Sequence, residues 1–390
     1  MEHDRFDHDR LAELLAAPLS SEEPVVSLYV ATGPSADRKV VLKNLMKQGE
    51  DAIKRDTGFD DERRKHATAA LHRAVDAAEE ALGRGQSKGT FVAFAWQDRS
   101  ETFRVPIVLR DRIVVERIPY TSPLQVLLQQ YERFGVVICD HKRGRIFDYF
   151  VGMLTPLEEV VDKVDPKVSS AGYRGLEQAR VNHHHDYTLH RHLQHVCDRV
   201  FAHHKRAAFD RLVLAGTAEN VAKLERFLHP YLRGRVVARE HWDHDISNDE
   251  ARKRLMAVEK TVENDKERSL LALVRDHVCG DLLATTGFDE TLRALYYGKV
   301  ATLIVEDGVA RIGRECPECR FLFPREQDAK EKAPTLVACP LCSRPTRVVP
   351  DVIDEAVELA VLSGAKVEHV VHAKDELASL GHMASILRFR

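Results

Sequence analysis

The stretch FGVVICDHKRGRIFDYFVG, residues 134–152, decides the fold of the chain around it. Two runs rich in β-branched and aromatic residues flank a short basic segment, and this pattern predicts two strands joined by a turn. Further along, the sequence predicts a helix of about 25 residues from Leu176. A strand, a helix and a second strand follow, at 211–217, 219–228 and 234–238. Because strands and helices alternate here, we expect a mixed α/β sheet.

The regions on either side show the same alternation. Before residue 126 the sequence predicts a strand, two helices and a two-stranded hairpin, at 24–32, 40–56, 61–83, 89–97 and 101–109. A charged helical stretch at 249–267 leads into two segments that each read as a helix followed by a strand, at 287–308 and 351–371. We therefore predict an α/β fold of three mixed-sheet domains, at 1–126, 127–266 and 267–390.

Four of the seven cysteines form two CxxC pairs, namely Cys316 with Cys319 and Cys339 with Cys342. Two tight thiolate pairs at this separation are typical of tetrahedral zinc in a ribbon. Sulfur then fills all four positions, so the predicted Zn²⁺ is structural. An iron site with the same ligands, or a ribbon that has lost its metal, are the alternatives. The remaining cysteines lie in apolar surroundings and are expected in the core: Cys139, Cys197 and Cys279.

Composition restricts the class of protein. Apolar residues make up 44% and charged residues 31%, an ordinary globular mixture, and the net charge is −3. Nucleic-acid binding would therefore depend on local basic patches instead of global charge. The first residues, MEHDRFDHDR, are charged where a signal peptide would be apolar, and the apolar runs are too short to span a bilayer. We expect a cytoplasmic protein that makes no membrane contact.

Several motifs resemble one family in both order and spacing. RFGVVICDHKRGRIFDYFVG and FDRLVLAG, at 133–152 and 209–216, resemble the opening hairpin and a later strand of a middle domain. GFDETLRALYYGKVATLIVEDG and LASLGHMASILRFR, at 287–308 and 377–390, resemble a C-terminal domain. The family is that of the archaeo-eukaryotic class-1 peptide chain release factors and Pelota, and the chain looks most like its bacterial branch. The resemblance implies a ribonuclease-H-like sheet in the middle domain and a zinc ribbon at about 314–347, as in archaeal members.

The family's catalytic loop is altered. In release factors a Gly-Gly-Gln loop precedes a helix with a Leu-x-x-Ala-Arg pattern, which LEQAR at 176–180 supplies here. Counting back, the loop positions fall on Ala171, Gly172 and Tyr173, so the glutamine is absent. A tyrosine cannot present the donor and acceptor of an amide together. The resemblance therefore implies no efficient peptide release, and no catalytic residue is assigned. We expect these three residues to form an exposed tip.

The segment 169–196 also holds six histidines. Metal binding on a helix favours histidines at positions i and i+4, whereas three of these are consecutive and point in different directions. The resemblance favours contact with RNA, in which histidine and arginine donate to phosphates. A metal site and a solvated helix face are the alternatives. The predicted RNA-binding residues are Lys142, Arg143, Arg145, Arg174, Arg180, His183, His184, His185 and Arg191.

By this resemblance we expect a ribosome-binding translation factor that occupies the A site in tRNA-like fashion without stop-codon-dependent peptide release. Such a factor would serve ribosome hibernation or the rescue of stalled ribosomes. A translational GTPase such as elongation factor Tu is the implied partner. The alternative is an enzyme that hydrolyses peptidyl-tRNA, or that cuts RNA with Asp140 and Asp148 as metal ligands.

Overall fold

The computed structural model describes residues 23–33, 38–56, 58–83, 88–164, 175–280, 283–324 and 337–389, with the backbone alone at 175–184. It confirms a mixed α/β fold. The chain divides into two compact units, one formed by Met1–Pro123 and Tyr131–Leu255 and the other by Leu124–Gln130 and Met256–Arg390. The three-domain division stays a prediction. In the described ranges no helix has the length and apolar character needed to cross a membrane.

The helices of the described ranges are α1 (Arg38–Arg55), α2 (Asp61–Gly83), α3 (Ser122–Gln130), α4 (Gly175–Arg206), α5 (Ala218–Phe227), α6 (Pro230–Arg233), α7 (Asn248–Cys279), α8 (Phe288–Tyr296), α9 (Val352–Leu362) and α10 (Lys374–Ala378). The strands are β1 (Val25–Thr32), β2 (Gly89–Ala95), β3 (Ser100–Val105), β4 (Arg112–Glu116), β5 (Phe134–Cys139), β6 (Arg143–Phe150), β7 (Met153–Val161), β8 (Arg211–Gly216), β9 (Val236–Glu240), β10 (Ala284–Thr286), β11 (Val300–Glu306), β12 (Gly313–Glu315), β13 (Leu322–Pro324), β14 (Arg347–Val349), β15 (Lys366–Val370) and β16 (Met383–Leu387).

The N-terminal sheet has the order β3-β2-β1-β4 and is antiparallel throughout. Every residue of β1 is buried, which is why its sequence is a nearly continuous apolar run. Helices α1 and α2 bury Leu42, Leu45 and Leu71 in the core beneath this sheet. The predicted strand, helix pair and hairpin are all present.

The middle sheet has the order β7-β6-β5-β8-β9, with antiparallel pairs on one side of β5 and parallel pairs on the other. Helix α4 buries Leu189, Leu193, Val196 and Val200 against it, a spacing that places these residues along one face. The helix approaches the hairpin closely at Gly144, where an added Cβ would lie 2.5 Å from the Val196 side chain. The absence of a side chain at this position therefore sets how near α4 lies to the basic turn.

In the second unit, the sheet β10-β16-β11-β15 pairs β11 with β15 in parallel and with β16 antiparallel. Helices α8 and α9 cover its core through residues such as Leu292 and Ile353. A separate three-stranded antiparallel sheet, β13-β12-β14, carries the cysteine segment. The Glu267 carboxylate on α7 accepts the backbone N–H groups of Val371, His372 and Ala373, so it fixes the turn after β15.

Candidate metal centre and nucleic-acid interface

The four predicted metal ligands lie together at one end of the small sheet. The Sγ atoms of Cys316 and Cys342 are 3.4 Å apart, and those of Cys319 and Cys339 are 3.6 Å apart. All four sulfurs lie within 4.8 Å of one another. Four thiolates placed about 2.3 Å from a central ion in a tetrahedron would be roughly 3.8 Å apart. The sulfur arrangement therefore fits a tetrahedral metal.

The two CxxC pairs are built alike. Arg320 and Ser343 each follow the first cysteine of their pair by four residues and adopt positive φ angles of 62° and 59°. Their backbone N–H groups donate to the carbonyls of Cys316 and Cys339, over 2.8 Å and 2.9 Å. The backbone N–H of Leu341 points to the Cys339 sulfur at 3.4 Å. Both turns are thus closed by backbone hydrogen bonds, and the sulfurs are held in place by the chain itself.

The pKa values of the Cys316 and Cys319 thiols are shifted in opposite directions. A hydrogen bond from the Cys319 backbone N–H lowers the pKa of the Cys316 thiol to about 7. Burial among the other sulfurs raises the pKa of Cys319 to about 12. Because a metal binds thiolates, binding here would release protons from the cluster.

The predicted basic turn joins β5 to β6. Asp140 Oδ1 accepts the backbone N–H groups of Lys142 and Arg143, each over 2.6 Å, which fixes the turn while both side chains stay exposed. Arg145 differs, because its guanidinium donates to the carbonyls of His244 and Ile246 over 3.0 Å and 2.8 Å. It also lies 4.9 Å from the centre of the Phe147 ring. Arg145 therefore holds the segment before α7, and we leave it out of the interface proposed below.

The histidines of α4 have different surroundings. His192 is buried, and its Nδ1 lies 2.7 Å from Asp162 Oδ2, while the half-exposed His195 lies 3.1 Å from the same oxygen. The two rings share one helix face, and both contact this carboxylate. Burial raises the pKa of Asp162, but the two histidine hydrogen bonds outweigh it and leave the pKa below its ordinary value. Asp162, which no sequence pattern singled out, thus links the end of β7 to α4.

The remaining predicted residues, which include the three loop positions, differ in how much of them the structure describes. Arg191 is exposed on α4, whereas His185 is buried and is left out of the interface for that reason. Arg180, His183 and His184 belong to the α4 backbone, but their side chains lie outside the described residues. Ala171, Gly172, Tyr173 and Arg174 lie wholly outside them. Among the residues that the structure does describe, the four cysteines form the one group of three or more side chains close enough to share a metal.

Cys139 belongs to a polar contact within the core. Its sulfur lies 3.9 Å from His192 Nε2, on the opposite side of the ring from Asp162. The order Cys-His-Asp is that of a nucleophilic triad, but Cys139 is only 1% exposed and burial strongly raises the pKa of its thiol. The neutral thiol is therefore a core group. Cys197 is also buried, as predicted, whereas the prediction for Cys279 is wrong, since it is exposed at the last residue of α7.

The two carboxylates considered for RNA cleavage are far apart. Asp148 lies opposite Gly135 at the start of β5, and Asp140 follows the last residue of that strand. At about 3.3 Å per residue they are separated by more than 10 Å. Asp148 is also buried in a two-pronged ion pair with Arg133, with both N–O distances 2.8 Å. The hypothesis of a shared metal between them is therefore wrong.

Known proteins show similarity to this chain along much of its length. Residues 119–260 match the family model of bacterial archaeo-eukaryotic release factor family 10. Peptide chain release factor subunit 1 of Pyrococcus abyssi is 22% identical over 290 residues, 69% of each chain. Eukaryotic peptide chain release factor subunit 1 of Loxodes striatus is 26% identical over 197 residues, which is 48% of this chain and 44% of that protein.

Two solved structures also show similarity to this chain at low sequence identity. Archaeoglobus fulgidus Pelota has a TM-score of 0.34 at 14% identity, with 77% of this chain and 80% of that chain covered. S. cerevisiae Dom34 has a TM-score of 0.40 at 10% identity, with 78% and 86% covered. The family match and the two relatives are all release factors or release factor families. The chain is similar to the bacterial branch of the archaeo-eukaryotic release factor superfamily, and its residues 119–260 match one family of that branch.

Proposed function

We propose that the protein binds the ribosome in the A site without stop-codon-dependent peptide release, and that it serves ribosome hibernation or the rescue of stalled ribosomes. The proposal rests on a family match and an altered catalytic loop that fall in the same part of the chain. Residues 119–260 match a bacterial release factor family, while the positions that correspond to the Gly-Gly-Gln loop of release factors hold Ala171, Gly172 and Tyr173. The binding scaffold is thus retained and the amide that orients the attacking water is absent.

The proposed RNA interface uses Lys142, Arg143 and Arg191. The first two project from a turn whose backbone Asp140 fixes, and Arg191 lies on the exposed side of α4. The helix packs against the hairpin near Gly144, next to this turn. Local cations on a rigid hairpin can neutralise phosphates even when the net charge of the chain is −3.

The four cysteines are proposed to hold one structural Zn²⁺. The support is the sulfur geometry and the repeated backbone turn at the two pairs. Bound there, zinc would crosslink β12, β13 and the segment before β14. With four sulfur ligands it would leave no position for a substrate.

A translational GTPase is the proposed protein partner. S. cerevisiae Dom34 interacts with Hbs1, and an archaeal Pelota has been described in its ribosome-bound form. For this chain we propose elongation factor Tu as the GTPase to test first. Binding would be measured with the purified pair in the presence of GTP and of GDP.

Co-sedimentation with ribosomes, combined with a peptide-release assay, tests the proposed function. The protein should pellet with ribosomes, and it should release no peptide from ribosomes that carry peptidyl-tRNA. A working release factor serves as the positive control for the second assay. Failure to pellet, or release at the rate of that control, would overturn the proposal.

A further inference from the structure

We infer that the C-terminal end of α4 and the short helix α6 form a platform for an unpaired RNA base, built from stacked rings and surrounded by cations. The inference deepens the proposed function, on which it rests for the source of the RNA. The platform comprises Phe201, Lys205, His229 and Tyr231. Two separate basic segments of the sequence, at 203–211 and 233–235, meet here in the fold.

The rings form a continuous series. The His229 ring stacks on Phe201 with centroids 3.8 Å apart and planes inclined by 9°. The Tyr231 ring follows at 4.9 Å from His229, and the Lys205 ammonium lies 4.5 Å from the centre of Phe201. Three aromatic groups and a cation are therefore in sequential contact, from the half-buried Phe201 to the surface.

Tyr231 ends this series in solvent. Its side chain is 72% exposed, the largest exposed fraction among the large hydrophobic residues of the described ranges. It lies between Pro230, which begins α6, and the fully buried Leu232. Leu232 anchors the turn, so the backbone directs the tyrosine outwards. A single exposed aromatic ring is ordinary on a protein surface. Tyr231 differs because it contacts the stacked His229–Phe201 pair, with its own plane inclined by 59° to His229, and exposed rings beside cations are what nucleic-acid bases stack on.

Hydrogen bonds hold the two histidine rings beside and beneath Tyr231. His229 Nδ1 accepts the backbone N–H of Tyr231 at 3.3 Å, so the ring is held by this bond as well as by Phe201. The neighbouring His204 ring is also fixed, because its Nδ1 accepts the backbone N–H of Phe209 at 3.1 Å. A base that stacks on Tyr231 would therefore order few protein groups, and this favours affinity.

Charge around the rings suits a phosphate backbone. Four exposed cations lie on the elements that meet here: Lys205 and Arg206 at the end of α4, Arg226 at the end of α5, and Arg233 in α6. Arg233 donates to the carbonyls of Leu228 and Arg226, over 2.9 Å and 2.6 Å, which holds its charge at this surface. The nearby Glu225 carboxylate is paired with Arg239, with Nε to Oε2 at 2.7 Å. Cations next to an exposed ring are the combination expected for single-stranded RNA.

Fluorescence anisotropy with a labelled single-stranded RNA of about ten nucleotides tests the inference at low salt. Tyr231→Ala should weaken binding roughly fivefold to tenfold through lost stacking, while Tyr231→Phe should bind within about twofold of wild type. Lys205→Gln should reduce the slope of log affinity against log salt by about one. The matched control is Tyr297→Ala, which removes another exposed tyrosine, and it should leave RNA affinity unchanged. Thermal unfolding verifies that each variant is folded.

Several results would overturn the inference. They are absent RNA binding by the wild type, wild-type affinity in Tyr231→Ala, or equal losses in Tyr231→Phe and Tyr231→Ala, which would indicate a hydroxyl contact. If Tyr231→Ala lost ribosome binding but kept RNA affinity, the ring would contact a ribosomal protein instead. Co-sedimentation of the wild type reports separately on the proposed function, so the two proposals can fail independently.

Discussion

Single carboxylates fasten the long helix α4 to the sheet. Asp162 accepts from the buried His192 and from His195. Asp162→Ala would leave the His192 nitrogen without this acceptor in the interior, and we expect a loss of roughly 1–3 kcal/mol in the free energy of unfolding. Urea unfolding measures it. Asp198→Ala, which removes an exposed carboxylate of the same helix, should change that free energy by less than about 0.5 kcal/mol, and equal losses would contradict the assignment.

A second carboxylate, that of Glu158, should make the stability of the protein sensitive to acid. Hydrogen bonds from Arg199, and secondarily from His203, hold the pKa of Glu158 below its ordinary value. Because the folded pKa is the lower one, this stabilisation is present above the unfolded value, about 4.3, and is lost as pH falls through the folded pKa. Glu158→Gln should therefore be less stable than wild type near neutral pH, with the difference shrinking below about pH 4. Urea unfolding across this range measures it, and a difference independent of pH would refute the prediction.

At the scale of the elements, we propose that the cysteine ribbon depends on bound zinc for its folding. Cys339→Ser should leave three thiolates, lower bound zinc from about one ion per chain, and expose the ribbon to protease. The sheet β10-β16-β11-β15 has a second core, formed with α7 and α10, that contains no ribbon residue, and it should stay folded. Metal analysis and limited proteolysis are the measurements, with the exposed Cys279→Ser as control. Metal-free, reduced wild-type protein with a protected ribbon would contradict the zinc assignment.

The sequence predicted those elements that bury a regular face, and it missed those that do not. Strand β1 is buried throughout, and its apolar run made it visible. Strand β7 was missed because it is a partly exposed edge strand that contains Pro156, next to a break in the pairing register. Strand β4 is short and only half-buried. The predicted end of α7 at 267 was too early, since the helix continues to Cys279.

The residues of the candidate sites also fall into those that the sequence predicted and those that it did not. The cysteine spacing alone predicted a cluster that the fold brings together, because ligand geometry is local to two turns. Asp162 and the ring series that ends in Tyr231 were not predicted. Asp162 contacts His192, 30 residues away, and the series depends on the His229 ring stacking on Phe201 of another helix. Such contacts depend on tertiary packing. The one signal in the sequence was the alternation of aromatic and basic residues in 201–211 and 229–235.

At the scale of the whole molecule, the net charge of −3 means that the proposed RNA binding depends on local cations. Ribosome affinity should therefore fall as salt rises. Replacing Lys142 and Arg143 by glutamine should reduce the slope of log affinity against log salt by about one to two. Lys54→Gln with Arg55→Gln, an equal charge loss on α1, is the control. Sedimentation at several salt concentrations measures the slope, and an unchanged slope in the turn variant would exclude this turn from the interface.

Gly144 limits which substitutions the basic turn between β5 and β6 can accept. A methyl group there would collide with Val196, whereas the adjacent Lys142 and Arg143 point into solvent. In a library that randomises the turn, position 144 should tolerate almost nothing, while positions 142 and 143 should accept many residues without loss of fold. The charge of the turn can therefore change during evolution while the contact between α4 and the hairpin stays constant.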